Sequence, residues 1–197
     1  MARVLIATVY EDAPVIVSAA RLGVDRIVLL IDKQPDEKQQ GALEIIKKSV
    51  GPIVETVKSD IYDIVEIAKV ARDIIDKYEK DEIYVNITAG RKTKALGLLY
   101  ACYARSSKIK KIIYVTEEDK KIIVLPKLSF NLRPTELKVL EHINKDGIMS
   151  ITESAQKIDI SRSMLYSNLD ELKAKGLIEE TDDKEYILTD AGRIALL

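Results

Sequence analysis

The sequence predicts an α/β fold in which a doubly wound, mostly parallel sheet is followed by a second, smaller domain. Short apolar segments of strand character alternate with helical segments four times, which is typical of a parallel sheet with right-handed crossovers. Two further strand-like segments follow, and composition and periodicity change after Pro126. We therefore assign residues 1–126 to the α/β domain, residues 127–133 to a linker and residues 134–197 to the second domain.

Four apolar segments predict the parallel strands, at residues 3–9, 27–31, 53–57 and 83–87. Their hydrophobicity is continuous rather than alternating, which indicates that helices cover both faces of the sheet. A short polar turn joins residues 111–116 to residues 121–126, and this pair predicts an antiparallel hairpin at one edge. The expected architecture is therefore a Rossmann-like sheet with one antiparallel strand.

Helices are predicted between these strands, at residues 13–22, 35–49, 61–78 and 94–104. Asp12 and Asp60 are expected to cap the first and the third of them. The fourth helix is apolar on almost every side, and Gly97 permits close approach. Because a domain of this size offers it no obvious second core, a homodimer interface is its simplest cover.

The turn after the fourth strand gathers groups that bind anions. Its amide and hydroxyl groups belong to Asn86, Thr88 and Thr93, and its cations are Arg91, Lys92 and Lys94. Gly90 allows the backbone to approach a ligand closely, and the first N–H groups of the next helix are unpaired. This is chemistry suited to a phosphate. The alternative is an ordinary turn with solvated basic residues, because the spacing fits neither a Walker A loop nor a dinucleotide-binding motif.

A second turn is expected beside the first. Ligands of doubly wound sheets bind at the carboxyl ends of the strands, near the point where the strand order reverses. The turn that follows the first strand ends at the same edge, and it contains Thr8, Val9, Tyr10 and Glu11. These residues are the predicted second wall of the site.

Composition excludes several classes of protein. The 197 residues are 32% charged and 47% hydrophobic with a net charge of −1, so nucleic-acid binding would depend on a local patch. The single cysteine, Cys102, predicts a reducing, cytoplasmic location. No signal peptide or apolar run long enough to cross a bilayer is apparent, so no membrane partner is expected. His, Cys and carboxylate spacings suggest no metal site, and we expect no cofactor.

The second domain reads as a winged helix-turn-helix. Helices are predicted at residues 134–145, from about residue 150 to 158 and at residues 161–175, followed by a hairpin around residues 181–184 and a last helix from residue 190. Residues 172–178 and 186–193 resemble those of prokaryotic winged-helix transcription factors. Met164, Leu165, Leu169 and Leu172 are expected to face the core.

This resemblance implies a double-stranded DNA partner. The exposed side of the third helix carries Arg162, Ser163, Tyr166, Ser167 and Asn168, and Ser161 caps it. The N-terminal half of such a helix meets base edges in the major groove, and Arg162 is suited to guanine. Because the wing is acidic, its contact with DNA would be limited to Lys184. The alternative is a solvated face of a protein-contact domain.

The two domains together resemble the archaeal CRISPR-associated regulators that join a CARF sensor domain to a C-terminal winged helix. That family carries Asp/Asn-x-Ser/Thr-x-x-x-Arg/Lys after the fourth strand, and residues 86–92 match this motif. The resemblance implies a homodimer that binds a cyclic oligoadenylate, and cyclic tetra-adenylate is the form we expect. The residues implied in ligand binding are Thr8, Val9, Tyr10, Glu11, Asn86, Thr88, Ala89, Gly90, Arg91, Lys92 and Thr93.

Three functions follow from these observations. The leading hypothesis is a transcription regulator in which the nucleotide shifts the spacing of two recognition helices, without chemistry. The second is a ring nuclease that cleaves the same messenger, with Lys92, Arg91 and Thr8 stabilising charge. The third is a regulator that senses another anionic metabolite at the same turn.

Overall fold

The computed structural model describes residues 1–148 and 150–197. The chain forms two compact units, Met1–Ser129 and Phe130–Leu197. The boundary between them lies inside the segment that the sequence assigns to the linker. Phe130 and Leu132 in that segment pack against the core of the second unit, so the second unit begins before its first helix.

A six-stranded sheet organises the first unit. Its strands are β1 (Arg3–Thr8), β2 (Arg26–Asp32), β3 (Ile53–Ser59), β4 (Glu82–Asn86), β5 (Ile109–Val115) and β6 (Ile122–Leu125). They lie in the order β3-β2-β1-β4-β5-β6. The first five are parallel, and β6 pairs with β5 in the antiparallel sense. The predicted doubly wound sheet with one antiparallel edge strand is confirmed.

Four helices cover the two faces of this sheet. They are α1 (Ala13–Leu22), α2 (Glu37–Ser49), α3 (Ile64–Lys77) and α4 (Lys92–Ala104), and a 3₁₀ turn, Ser106–Lys108, leads into β5. Helices α1 and α2 share one core with Leu5 and Leu29. Helices α3 and α4 share the other with Val4 and Val85. Alternate residues of one strand are therefore buried on opposite faces, which explains the continuous hydrophobicity of the strands.

Two of the expected helix caps are wrong. Asp12 occupies the N-cap position of α1, but its side chain accepts no capping hydrogen bond. Helix α3 is capped by Asp63, whose carboxylate accepts from the backbone N–H of Glu66 at 2.9 Å. Asp60 instead accepts from the N–H groups of Tyr62 and Asp63. The chain thus makes a four-residue turn after β3 before α3 begins, and Asp60 closes that turn.

Helix α4 has a core within its own chain on one side, and the expected homodimer contact on the other side stays a prediction. Leu98, Ala101 and Cys102 are buried in the core that it shares with α3 and the sheet. At Gly97 a Cβ would lie 2.5 Å from Cγ2 of Ile67 on α3, so only glycine allows this crossing. The opposite side of α4 carries an apolar stripe formed by Leu96, which is exposed, and Tyr100, which is half-buried. The half-buried Tyr103 packs against the same core as Leu98.

The second unit has the predicted order of elements. They are α5 (Pro134–Asp146), α6 (Ile151–Lys157), α7 (Arg162–Ala174), the hairpin strands β7 (Ile178–Glu180) and β8 (Tyr186–Leu188), and α8 (Asp190–Ala195). Side chains from α5, α6, α7 and both hairpin strands share one core. The winged helix-turn-helix is therefore confirmed as the fold of this unit.

An ionic cluster fixes α5 against the end of α7. The buried carboxylate of Glu136 accepts from the backbone N–H of Arg133 at 2.7 Å and lies 2.6 Å from the Lys175 ammonium. Burial opposes ionisation of Glu136, but Lys175 and the N–H of Arg133 outweigh the effect of burial and hold the pKa of Glu136 below its ordinary value.

Among the helices that the structure describes, none is both long enough and apolar enough to cross a membrane.

Candidate functional site

The two predicted turns meet at the carboxyl edge of the sheet. The strand order reverses between β1 and β4, which is where ligands bind in doubly wound sheets. The hydroxyl of Thr8, at the end of β1, donates to the carbonyl oxygen of Ala89. Gly90 has φ +126°, and a Cβ there would lie 2.8 Å from Cβ of Thr8. The turn after β4 therefore needs glycine to pass over the end of β1.

Asn86 sets the shape of the turn from beneath it. Its side chain is 1% exposed. Its amide nitrogen donates to the carbonyl oxygen of Pro14 at 3.0 Å and to the hydroxyl of Ser18 at 2.7 Å. Its amide oxygen accepts from the N–H of Thr88 at 2.8 Å. Asn86 thus ties the turn to α1, and direct contact between Asn86 and a ligand stays a prediction.

The predicted hydroxyl donors also bond within the protein. The Thr88 hydroxyl accepts from the N–H of Val115 at 2.7 Å. The Thr93 hydroxyl donates to the carbonyl oxygen of Ile61 at 2.5 Å. Together with Thr8, these residues position the backbone of the turn. What the turn offers to a ligand is therefore mainly its N–H groups and its cations.

The N-terminus of α4 is open to an anion. Arg91 occupies the N-cap position and its side chain makes no capping hydrogen bond, so the first N–H groups of the helix have no side-chain partner. Lys92 is exposed, and within the described ranges 1–148 and 150–197 its ammonium has no ion-pair partner. The helix dipole and this cation both favour negative charge at the same place.

Arg91 is held by carboxylates. Its Nε lies 2.9 Å from Oδ2 of Asp32 and its Nη2 lies 3.6 Å from Oδ2 of Asp36. The guanidinium also lies over the ring of Tyr10, 5.5 Å from the centroid. The pKa of Arg91 is above its ordinary value, chiefly because of Asp32. A ligand phosphate must therefore compete with two carboxylates for this side chain.

The turn after β1 forms the other side of this cluster. The Tyr10 hydroxyl donates to Oδ2 of Asp36 at 2.5 Å, and this bond raises the pKa of Tyr10. Glu11 is exposed and lies 3.4 Å from the Lys38 ammonium. The side chain of Val9 is fully buried, and its carbonyl oxygen accepts from Gln39. Only Tyr10 of these residues contacts Arg91 directly in the structure.

Lys94 does not face the turn, so its expected role as a third cation there is wrong. It is fully buried, and its ammonium lies 3.3 Å from Oδ1 of Asp32. The ammonium donates to the carbonyl oxygens of Ile31, Ser59 and Asp60 and to the Ser59 hydroxyl, at 2.6–3.2 Å. Burial lowers the pKa of Lys94, although Asp32 opposes this. Its position one helical turn before Leu98, on the inner face of α4, is the sequence signal for this burial.

Asp32 was missed by the sequence analysis. It ends β2 at the same edge, is fully buried and is shared between Arg91 and Lys94. A carboxylate that ends an otherwise apolar strand at the ligand-binding edge is the signal that would have found it. Asp32 therefore links the half-buried Arg91 of the turn to the fully buried Lys94.

The predicted DNA-contact residues of the second unit are exposed. Arg162, Ser163, Tyr166, Ser167 and Lys184 are exposed, and Ser161 caps α7 by accepting from the N–H of Met164 at 3.2 Å. The tip of the wing carries Asp182 and Asp183 beside Lys184. The structure thus leaves these side chains of α7 and the wing open to a partner.

Two positions of α7 differ from the prediction. Met164 was expected to face the core, but it is 45% exposed. Asn168 was expected on the exposed side, but it is buried and donates to the carbonyl oxygen of Met164 at 2.7 Å. The inner stripe of α7 is therefore Leu165, Asn168, Leu169 and Leu172.

In the part of the chain that the structure describes, no group of three or more His, Cys, Asp or Glu residues could hold a metal ion.

Three known structures are similar to this chain, and the first of them shares its fold. Csm6 of Enterococcus italicus, bound to cyclic hexa-2'-fluoro-hexa-dAMP, is 14% identical with a TM-score of 0.51, over 88% of this chain and 55% of Csm6. Can2 of Sulfobacillus thermosulfidooxidans, in complex with cyclic tetra-adenylate, is 13% identical with a TM-score of 0.49, over 98% of this chain and 63% of Can2. A type III CRISPR defence DNA nuclease activated by cyclic oligoadenylate is 13% identical with a TM-score of 0.48, over 91% of this chain and 36% of the nuclease. The chain therefore spans about half the length of Csm6.

Two family models match the sequence. Residues 3–120 match the family described as "HFX_2341_N:-like, N-terminal", and residues 132–179 match "HTH_24: Winged helix-turn-helix DNA-binding". No curated protein sequence matches the chain. Because the first match extends over more than half of the chain, this protein belongs to the HFX_2341_N-like family, and its second unit is a winged helix-turn-helix.

Proposed function

We propose that this protein is a transcription regulator whose CARF-like domain binds a cyclic oligoadenylate, with cyclic tetra-adenylate as the preferred form, and whose winged helix binds DNA. The observation that carries the proposal is the open N-terminus of α4, where the exposed Lys92 lies beside the Gly90 turn at the point of strand-order reversal. An anionic nucleotide suits this place because N–H groups, the helix dipole and a cation converge there. The match of residues 132–179 to a DNA-binding family supports the second half.

The functional unit in this proposal is a homodimer. The stripe formed by Leu96 and Tyr100 on the outer side of α4 is apolar, and Leu96 is 42% exposed. A two-fold contact through this stripe would pair the two copies of α4. The Lys92 turns of both protomers would then lie near the axis, where a symmetric cyclic ligand meets the same groups on each side.

Ligand binding acts by population shift in this proposal. A ligand that binds both Lys92 turns favours the dimer arrangement in which the turns are correctly spaced, and it thereby changes the spacing of the two recognition helices. Arg91 contributes only after it exchanges Asp32 and Asp36 for a phosphate. The net affinity therefore contains the cost of breaking those ion pairs, and Lys92 is the cation that needs no such exchange.

Replacing Lys92 with alanine is expected to weaken binding of cyclic tetra-adenylate by at least about tenfold, because a charge-assisted contact to phosphate is lost. Titration calorimetry on the purified protein measures this. Lys47→Ala is the control, since Lys47 is an exposed lysine in the last turn of α2. Equal affinity of the Lys92→Ala variant and the wild type would contradict the proposed site.

The same samples test the two other hypotheses. If long incubation of the protein with cyclic tetra-adenylate gives linear adenylate products, the protein is a ring nuclease. If the ligand stays intact, the result supports a regulator. The Thr8 hydroxyl is buried and donates to Ala89, so charge stabilisation by a nuclease would fall to Arg91 and Lys92. Tighter binding of a mononucleotide than of cyclic oligoadenylates would assign a regulator that senses another metabolite.

Replacing Arg162 with alanine is expected to weaken specific DNA binding by about tenfold, since one side-chain contact to a base edge contributes roughly 1–3 kcal/mol. Binding of cyclic tetra-adenylate should stay unchanged. Fluorescence anisotropy with promoter DNA measures the first effect and calorimetry the second. Lys145→Ala, which removes an exposed cation from α5, is the charge-matched control. Loss of both activities in the Arg162→Ala variant would contradict the division of roles.

A further inference from the structure

Tyr62 is an exposed aromatic side chain that the proposed function does not yet use. Its side chain is 73% exposed, and it lies in the turn of residues 60–63 between β3 and α3. Its hydroxyl has no hydrogen-bond partner among residues 1–148 and 150–197. A large aromatic ring placed in solvent contributes little to the core, so its position needs another explanation.

The turn that carries Tyr62 is rigidly held. Oδ1 of Asp60 accepts from the N–H groups of Tyr62 at 2.8 Å and of Asp63 at 3.1 Å. These two backbone bonds lower the pKa of Asp60 to about 2. The N–H of Asp60 donates in turn to Oε2 of Glu66 at 2.7 Å. The Tyr62 ring is therefore presented by a backbone that three hydrogen bonds fix.

The same turn is attached to the N-terminus of α4. The Thr93 hydroxyl donates to the carbonyl oxygen of Ile61 at 2.5 Å. The Lys94 ammonium donates to the carbonyl oxygen of Asp60 at 2.8 Å. Although two strands separate β3 from β4, these bonds bring residues 60–63 next to the Arg91–Lys94 segment.

The other tyrosine near Arg91 is already engaged. Tyr10 donates its hydroxyl to Asp36. The Lys38 ammonium lies 4.9 Å from the centre of its ring, and Arg91 lies over the same ring. In the described part of this site, Tyr62 is thus the aromatic ring with an open face. The turn that carries this ring is bonded to the start of α4, so groups suited to a phosphate and an unoccupied aromatic face belong to neighbouring segments, which matches the two chemical parts of a nucleotide.

We propose that Tyr62 is a base-stacking residue that receives an adenine of the nucleotide whose phosphate lies at the N-terminus of α4. The inference rests on the proposed function and adds the recognition of the base to that of the phosphate. Stacking uses the face of the ring and not its hydroxyl, so phenylalanine should replace tyrosine while alanine should not. Because every base has a π-face, Tyr62 provides affinity for a purine, and selection among bases falls to other groups.

Calorimetry with cyclic tetra-adenylate tests the loss of stacking. The Tyr62→Ala variant is expected to bind about tenfold more weakly than wild type, as for one lost base stack. The Tyr62→Phe variant should bind within about twofold of wild type. Because Tyr62 is exposed, both variants are expected to fold, and far-UV circular dichroism checks this. Equal affinity of the Tyr62→Ala variant and the wild type would overturn the inference.

A tryptophan probe gives a second, direct measurement. The chain contains no tryptophan, so the Tyr62→Trp variant has a single emitting indole. Stacking with adenine should quench its fluorescence in a saturable way, with the dissociation constant that calorimetry gives. The control is Ile53→Trp. Ile53 is 59% exposed and begins β3, so it lies at the end of that strand opposite to the turn that carries Tyr62. Its fluorescence should not change on titration.

The outcomes separate the two proposals. If the wild-type protein binds cyclic tetra-adenylate, but the Tyr62→Ala variant keeps full affinity and the Tyr62→Trp fluorescence is unaffected, the base-stacking role is wrong and the proposed function stands. If the wild-type protein binds no cyclic oligoadenylate, both proposals are wrong. Quenching in both tryptophan variants would also overturn the inference, because the effect would not depend on the site.

Discussion

Replacing Lys94 with methionine is expected to lower the free energy of unfolding of the first unit by roughly 3–5 kcal/mol. The Asp32 carboxylate is fully buried and would lose the cation that lies 3.3 Å away. Three backbone carbonyl groups, at the ends of β2 and β3 and in the turn that follows, would lose a charged donor. Methionine fills the space of the side chain but cannot donate a hydrogen bond. A cavity therefore contributes little to this loss.

Hydrogen exchange of the full chain measures this loss, since the amides of β1 and β4 report the first unit alone. The matched control is Lys92→Met. It changes the same residue type two positions earlier in α4, where the side chain is exposed, and it should shift stability by no more than about 0.5 kcal/mol. Similar losses in the two variants would show that the buried cluster is not the cause.

A double variant separates charge from packing. Adding Asp32→Asn to Lys94→Met removes both members of the buried pair, so part of the loss should be recovered. The recovery is expected because the larger cost of a broken buried pair comes from the charge that stays behind. An additive loss in the double variant would mean that Asp32 and Lys94 act independently.

Replacing Gly90 with alanine is the second large change that we expect, and it acts on stability and ligand binding together. At φ +126° an alanine is strained, and its Cβ would lie 2.8 Å from Cβ of Thr8. The turn must move away from the end of β1, at a cost of about 1–3 kcal/mol. Because the same movement displaces the N-terminus of α4, binding of cyclic tetra-adenylate should fall by more than about tenfold.

Gly41→Ala is the control for this change. Gly41 lies in α2, and no atom lies within 4 Å of the position that a Cβ would take. Alanine there should stabilise the protein by about 0.5–1 kcal/mol, because glycine is the poorer helix former. Thermal denaturation followed by circular dichroism compares the two variants. A Gly90→Ala variant that keeps full stability and full ligand affinity would show that the close passage over β1 is not required.

The sheet was predictable because its physical signal is local. A strand that is buried on both faces must be apolar at every position, and this pattern is visible in residues 3–9 and 27–31 without knowledge of their partners. The edge that carries the turns was predictable for the same reason, since it follows from the direction of parallel strands. Contacts between the turns were not, because they join residues far apart in sequence, as Thr93 joins Ile61.

The roles of the lysines show where charge counting fails. Lys92 and Lys94 are two residues apart, so they point to different sides of the helix. Helix α4 begins at Lys92, two residues before the predicted start, and its inner face therefore includes Lys94. The sequence shows how many cations lie in the turn. The residue at which the helix begins determines which of their side chains are exposed to solvent.

The errors in α7 have a similar origin. Met164 was assigned to the core because it is apolar, but Leu165, Leu169 and Leu172 already define the inner stripe. Position 168 lies within that stripe, and Asn168 occupies it by bonding to the carbonyl oxygen of Met164. A polar side chain can therefore be buried on the inner face of a helix when its polar atoms find hydrogen-bond partners.

The crossing at Gly97 has a mechanical consequence. With Ile67 lying where a side chain at position 97 would be, α3 and α4 cannot slide along each other without a clash. Tyr62 comes just before α3 and Lys92 begins α4, so we expect the segments that carry these two residues to move together. If the proposed nucleotide contacts both Lys92 and Tyr62, we expect it to displace α3 and α4 as one body instead of separating the two helices.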